Sequence, residues 1–159
     1  MQKIIITFLS LLTLSFLSCT SEQEPTMETS EDIFIFGSYN GFCQGNCTHL
    51  FRLEDDQVFR DEVDFFDADN LQFSDTSEAE LKEVALRLRG AFPSLLIASD
   101  QEEYGCLGCS DQSILFLQMG EGDEMRTWKL DSFVQEEWDQ ELKDYVQLLV
   151  RELNEIIVF

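Results

Sequence analysis

The chain has few basic residues. Only 10 Lys and Arg stand against 32 Asp and Glu among its 159 residues, which gives a formal net charge of −22 at pH 7. This excess of negative charge repels nucleic-acid phosphates and anionic lipid headgroups, so the sequence predicts no nucleic-acid partner. A cationic protein, a basic peptide or a divalent metal would suit such a surface. The alternative is that the charge serves only solubility or salty surroundings.

The residues and motifs of known catalytic sites are also scarce. His49 is the only histidine, and the chain contains no Gly-x-Ser-x-Gly, no His-Glu-x-x-His and no phosphate-binding glycine loop. His49 follows Cys47 by two residues and could act as a ligand or base, but a lone histidine on a strand edge is usually just exposed. We therefore assign no catalytic residue and expect that the protein is not an enzyme.

Proline is rare, and no second apolar run long enough to span a membrane follows the N-terminus. The chain has only 2 Pro but 14 Phe and 2 Trp. So many aromatic side chains with so few prolines indicate a packed core rather than disorder. We predict a single folded domain over residues 32–159, which is an ordinary domain size.

The N-terminus is typical of a secretory signal. Lys3 precedes an apolar run from Ile4 to Leu17, which is shorter than the roughly 18 residues that cross a bilayer as a helix. The run ends in a small residue and a cysteine, Ser18-Cys19, and this resembles a bacterial lipobox, although Phe16 stands where Leu is usual. The alternatives are an ordinary cleaved signal and a retained anchor helix.

The lipobox predicts a signal peptide over residues 1–18 and an acylated cysteine, Cys19, at the start of the mature protein. Residues 19–31 are polar and acidic without apolar periodicity, which indicates a flexible tether. We therefore expect a membrane partner through the lipid anchor. The location is the bacterial cell envelope, either periplasmic or surface-exposed on the outer membrane.

The hydrophobic pattern predicts an α+β fold. Two apolar runs, Ile33–Phe36 and Leu95–Ala98, are typical of buried strands, and residues 54–57 indicate a hairpin turn. Two capping-box patterns, Ser77 with Glu80 and Ser132 with Gln135, predict the starts of two amphipathic helices. The apolar positions of these helices have the helical spacing; they are Leu81, Val84, Ala85 and Leu88 in the first helix, and Trp138, Leu142, Tyr145, Leu149, Leu153 and Ile156 in the second.

The two halves of the chain show a similar order of elements. Glu80-Leu81-Lys82 corresponds to Glu141-Leu142-Lys143, and Cys47 corresponds to Cys109. The fold predicted from this order is an antiparallel-rich sheet with two amphipathic helices on one face, with two βββα halves as a possibility.

Four cysteines remain once Cys19 is assigned to lipid. They form two closely spaced pairs, Cys43 with Cys47 and Cys106 with Cys109. Outside the cytoplasm such pairs predict disulfides, in any of three pairings. A Cys₄ zinc site from all four residues is the alternative, and free thiols are a third. A thioredoxin-like redox role is disfavoured, because a strand-like run rather than a helix follows Cys109.

The two cysteine-bearing strings, residues 39–47 and 105–112, resemble those of small uncharacterised lipoproteins from Bacteroidota. The resemblance covers most of the mature chain and implies a location but no activity. The leading hypothesis is a lipid-anchored, non-enzymatic envelope protein that presents an acidic binding domain. The alternatives are an inhibitor or immunity-type protein against a cationic envelope protein, and a Cys₄ metal-binding or redox protein.

Overall fold

A computed structural model describes residues 32–41, 45, 47–76, 78–107, 109, 112–122 and 124–157. The predicted signal peptide, Cys19, the tether and Cys43 lie outside these residues. Among the helices that the structure describes, none has the length and apolar character needed to cross a membrane.

The described chain folds around one mainly antiparallel sheet, so the predicted α+β class is confirmed. Its strands are β1 Ile33–Tyr39, β2 Thr48–Glu54, β3 Gln57–Asp61, β4 Phe73–Thr76, β5 Glu103–Tyr104, β6 Ile114–Glu121 and β7 Glu124–Asp131. The order across the sheet is β4-β3-β2-β1-β6-β7-β5, and only β5 pairs in parallel, with β7. The predicted hairpin turn is confirmed between β2 and β3, where Asp55 and Asp56 both have positive φ, as a tight two-residue turn requires.

Three helices pack on one face of the sheet: α1 Ala79–Gly90, α2 Ser94–Ala98 and α3 Gln140–Ile156. The predicted apolar positions of α1 and α3 are buried in the main core, except Ile156, which is partly buried at its margin; Trp138, predicted on the last helix, precedes α3 and is also partly buried there. On the sheet side, this core consists mainly of alternate strand residues such as Phe34, Phe36, Leu117 and Trp128, as expected when one face of each strand is buried.

The second face of the sheet is covered by a loop rather than by a helix. Ile35, Leu50 and Phe116 form a small buried cluster there. Phe66, from the acidic stretch between β3 and β4, stacks on Tyr39 with ring centroids 3.7 Å apart and meets the Phe116 ring edge-on at 5.1 Å. Phe66 of this stretch therefore covers the second core.

The strand predicted at Leu95–Ala98 is wrong, because these residues belong to helix α2. Four apolar residues do not distinguish a buried strand from a short helix, and long-range contacts settle the choice. The carboxylate of Glu141 accepts hydrogen bonds from the backbone N–H and hydroxyl of Ser94 at the start of α2. At its end, Arg126 of β7 donates to the carbonyl oxygens of Ile97 and Ser99, both at 2.6 Å.

The start predicted for the last helix is also wrong. Asp139 caps α3 by accepting a hydrogen bond from the backbone N–H of Glu141 at 2.9 Å, whereas Gln135 donates its side-chain amide to Asp131 instead. Helix α1 begins at Ala79, close to the predicted start, and Glu78 is its N-cap residue. Ser77 lies outside the described residues.

The two predicted βββα halves are not confirmed. The first half supplies four strands before α1, whereas the second half opens with helix α2 and the two-residue strand β5. Three helices, rather than the predicted two, lie on one face of the sheet. The similarity of the two Glu-Leu-Lys strings therefore reflects two amphipathic helix starts.

Candidate functional site

Both cysteine loops lie at the same end of the sheet. Tyr39, at the end of β1, pairs with Thr48 of β2 and with Ile114 of β6, and Ile114 in turn pairs with Asp131 at the end of β7. Cys47 directly precedes β2, and Cys106 follows β5, which runs parallel to β7. The antiparallel pairing thus brings these segments, which are distant in sequence, to the same end of the sheet.

Cys106 and Cys109 form a disulfide, with their Cα atoms 5.5 Å apart. The backbone N–H of Cys109 also donates to the carbonyl oxygen of Cys106 at 3.2 Å. Of the pairings that the sequence leaves open, this is the local one. Cys47 is buried and also disulfide-bonded, and its partner lies outside the described residues. The element that follows Cys109 is strand β6 rather than a helix, so the thiol-activating helix N-terminus of thioredoxin-like sites is not formed here.

The order of the strands separates Cys47 from Cys106. Cys47 precedes β2, whereas Cys106 is hydrogen-bonded to Asp131 at the end of β7, and β1 and β6 lie between these two strands. Neighbouring strands are about 4.8 Å apart, so the ends of β2 and β7 are separated by about 14 Å, whereas zinc holds each sulfur ligand at about 2.3 Å. No group of three or more potential metal ligands is found among the described residues. The Cys₄ zinc site stays a prediction that requires reduced thiols and rearranged loops.

His49 does not lie on a strand edge, so that expectation is wrong. It belongs to β2, an internal strand, and pairs with Ser38 of β1. Burial lowers the pKa of His49 below its ordinary value, and the positive charge of Arg60 lowers it further. The imidazole is therefore neutral at neutral pH.

Asp131, which no sequence pattern singles out, organises the disulfide loop. The carboxylate is buried and accepts hydrogen bonds from the backbone N–H of Cys106 at 3.3 Å, of Phe133 at 2.9 Å, and from Gln135 at 3.2 Å. Gly105 has φ +87°, and a Cβ atom there would lie 2.5 Å from Cβ of Asp131. The loop can approach Asp131 only because residue 105 is glycine. An aspartate at the end of an apolar strand has no local sequence pattern that would identify it as the residue that holds this loop.

A cavity of about 570 Å³ lies beside this loop, and we call it the acidic cavity. It is lined by residues of α2, of β5 with its flanking residues, and of the segment that leads into α3. Its described lining contains two carboxylates, two aromatic rings and no Lys or Arg; these residues are Glu137, Asp139, Tyr104 and Trp138. The hydroxyl of Tyr104 is buried and has no hydrogen-bond partner among the described residues.

The described cations are all engaged within the protein. Seven of them form ion pairs: Arg52 with Glu54, Arg60 with Glu78, Lys82 with Asp56, Arg87 and Arg151 with Glu152, Arg89 with Asp32, and Lys129 with Glu103. The other two, Arg126 and Lys143, donate to backbone carbonyl oxygens. Neither Glu137 nor Asp139 takes part in an ion pair among the described residues. The negative charge of the acidic cavity therefore has no basic partner in this part of the chain.

Comparisons with known proteins give no match: no family model and no curated protein matches the sequence, and no solved structure matches the chain. The function is therefore interpreted from the chemistry of the chain itself.

Proposed function

We propose that this is a lipid-anchored protein of the bacterial cell envelope that binds a cationic protein partner at the acidic cavity. Cys19 carries the lipid, and the domain from residue 32 onward presents the cavity away from the membrane. The observation that carries the proposal is the engagement of every described Lys and Arg by an internal acceptor. The many remaining carboxylates are thus left for charges from outside.

The lining of the acidic cavity suits an ammonium or guanidinium group. Glu137 and Asp139 supply negative charge, while the Trp138 and Tyr104 rings supply aromatic surface. A cation near such a ring gains about 0.5–1 kcal/mol at an exposed site, and more where water is displaced. A Lys or Arg side chain of a basic partner would combine both contributions, and the long-range field of the acidic domain would accelerate its association.

The lipid anchor and the disulfides can be tested together by intact mass spectrometry. The protein is extracted from the membrane of a bacterial host without reduction. We expect a chain that begins at Cys19, carries added acyl mass, and is about four hydrogens lighter than the fully reduced form. Cys19→Ser should shift the protein to the soluble fraction. A non-acylated chain would contradict the anchor, and bound zinc with four free thiols would favour the metal alternative.

The cation site can be tested with a fluorescent pentalysine peptide as the probe. We expect binding by the full chain that weakens steeply between about 20 mM and about 300 mM salt, because screening shortens the reach of surface charges to about 8 Å at physiological ionic strength. Glu137→Lys should weaken binding about tenfold at low salt, since it places a like charge beside the bound ammonium. Fluorescence anisotropy measures both effects.

Glu83→Lys is the matched control for this experiment. Glu83 lies on α1, outside the lining of the acidic cavity, and its reversal changes the net charge by the same amount. We expect it to weaken pentalysine binding by only about two- to threefold, through the general field. An equal effect of both reversals would show that the peptide responds to net charge rather than to this cavity, and absence of salt-sensitive binding would overturn the proposal.

A further inference from the structure

A second cavity of about 490 Å³ lies between the end of the sheet and the C-terminal part of α3, and we call it the uncharged cavity. In a chain with 32 carboxylates, no described residue of its lining is Asp, Glu, Lys or Arg. Its volume lies within the range of small-molecule binding sites. Its position is separate from the acidic cavity, with which it shares no described lining residue.

Apart from Asn40, which is engaged in an interaction of its own, the polar side chains of this cavity make no side-chain hydrogen bond within the described part of the chain. They are Ser38, His49, Gln112, Ser113, Ser132 and Asn154. Ser38 is only 9% exposed and lies opposite His49 on the neighbouring strand. The other five residues are half-buried or exposed, so their polar groups are open to a ligand that enters the cavity. The convergence of several such groups on one cavity indicates a binding site.

From these features we infer that the uncharged cavity binds a neutral saccharide. Each polar lining side chain can both donate and accept a hydrogen bond, because hydroxyls, carboxamides and a neutral imidazole all carry a donor and an acceptor. Hydroxyl groups of a sugar have the same dual character. A lining for an anion would instead need fixed donors or cations, and one for a cation would need carboxylates.

The remaining walls of the cavity suit the apolar face of a sugar ring. Leu115, Val150 and Leu153 supply aliphatic surface. Phe133 contributes an aromatic ring and is 59% exposed, so the face of this ring is accessible to a ligand. The C–H groups on one face of a sugar ring can stack on Phe133 while the hydroxyls of the sugar reach the polar side chains. This combination would fix the orientation of the sugar as well as contribute to its affinity.

Charge adds selectivity against acidic sugars. The protein is strongly negative as a whole, so an anionic ligand is repelled before it reaches the cavity. Burial and Arg60 lower the pKa of His49, so its imidazole does not supply a counter-charge at neutral pH. A neutral sugar meets neither obstacle. This inference is independent of cation binding at the acidic cavity.

Binding can be tested with a panel of neutral hexoses, N-acetylhexosamines and their disaccharides. Each sugar is added to the full chain at up to about 10 mM, which is tenfold above a weak Kd of about 1 mM. Ligand-observed NMR and calorimetry measure the interaction. At least one neutral member should bind, and glucuronate should not. Phe133→Ala and Asn154→Leu should each weaken that binding about tenfold, because one removes the stacking surface and the other a donor and an acceptor.

Phe65→Ala is the matched control. Phe65 is 72% exposed and is not among the lining residues, so this variant should bind the sugar as the unmodified protein does. Phe133 and Asn154 are exposed as well, so their variants are expected to fold, which circular dichroism checks. The inference is overturned if no panel member binds, if glucuronate binds as well as the neutral sugars, or if Phe133→Ala and Asn154→Leu both leave binding unchanged. Pentalysine binding should be unaffected by either variant, so the two proposals fail separately.

Discussion

Gly37→Ala should prevent the domain from folding, or reduce its free energy of unfolding by about 4 kcal/mol or more, out of the roughly 5–15 kcal/mol typical of a domain. Gly37 lies in the middle of β1, the central strand, with φ +153°. A Cβ atom at this position would overlap the carbonyl oxygen of His49 and lie 2.8 Å from Cα of Leu50. Urea denaturation, or the soluble yield where the variant does not fold, measures the effect.

The size of this effect follows from the atoms involved. Both contacts are with the backbone of β2, which cannot rotate away as a side chain would. Relief requires β1 and β2 to separate, and their pairing runs from Phe34 to Tyr39 with buried cores on both faces. Opening that pair would expose apolar surface on each side of the sheet.

Gly90→Ala provides the matched control for Gly37→Ala. Gly90 is the last residue of α1, and a Cβ atom there meets no other atom within 4 Å. Alanine also favours helix over glycine and restricts the unfolded chain, so we expect an unchanged or slightly higher stability, by up to about 1 kcal/mol. Equal denaturation midpoints for the two variants would contradict the close approach of β1 and β2.

The second large effect should come from removing both cations that neutralise Glu152. This carboxylate on α3 is only 3% exposed, and it lies 3.3 Å from Nη2 of Arg87 on α1 and 2.9 Å from Nη2 of Arg151. The double variant Arg87→Met, Arg151→Met keeps the apolar stems of the side chains but leaves a buried charge without a partner. We expect a loss of about 3–5 kcal/mol in urea denaturation.

Two further variants separate this explanation from a loss of helix contacts. Adding Glu152→Leu to the double variant should restore most of the stability, because it removes the stranded charge and fills its volume with apolar atoms. Arg60→Met with Lys82→Met removes two cations from exposed ion pairs with Glu78 and Asp56, and should cost about 1 kcal/mol at most. If this control lost as much stability as the Arg87→Met, Arg151→Met variant, the burial of Glu152 would not be the cause of the larger effect.

The parts of the fold that depend on local patterns could be predicted from the sequence. The apolar spacing of Leu142, Tyr145 and Leu149 has the helical period, and these residues are buried. The hairpin at Asp55-Asp56 could be predicted for the same reason, since a turn needs only adjacent residues. Leu95–Ala98 could not, because Glu141 and Arg126 fix its helical state from other parts of the chain.

The candidate sites were predictable only in part. The local Cys106–Cys109 pairing was among the alternatives, because the two residues are close in sequence. The anchoring of that loop by Asp131, and the free hydroxyl of Tyr104, depend on strand pairing and have no local signature. The uncharged cavity could not be recognised either, since its polar residues come from β1, β2, α3 and the segments beside β6 and β7.

The pairing of β1 with β6 sets the order in which the domain can fold. β1 is the first described strand, yet one of its two neighbours comes from the other half of the chain. Until residues 114–120 are available, β1 is an edge strand with one row of backbone groups and part of its apolar surface uncovered. Such pairing between distant segments is slow to form. We therefore expect the central sheet to be completed late in folding.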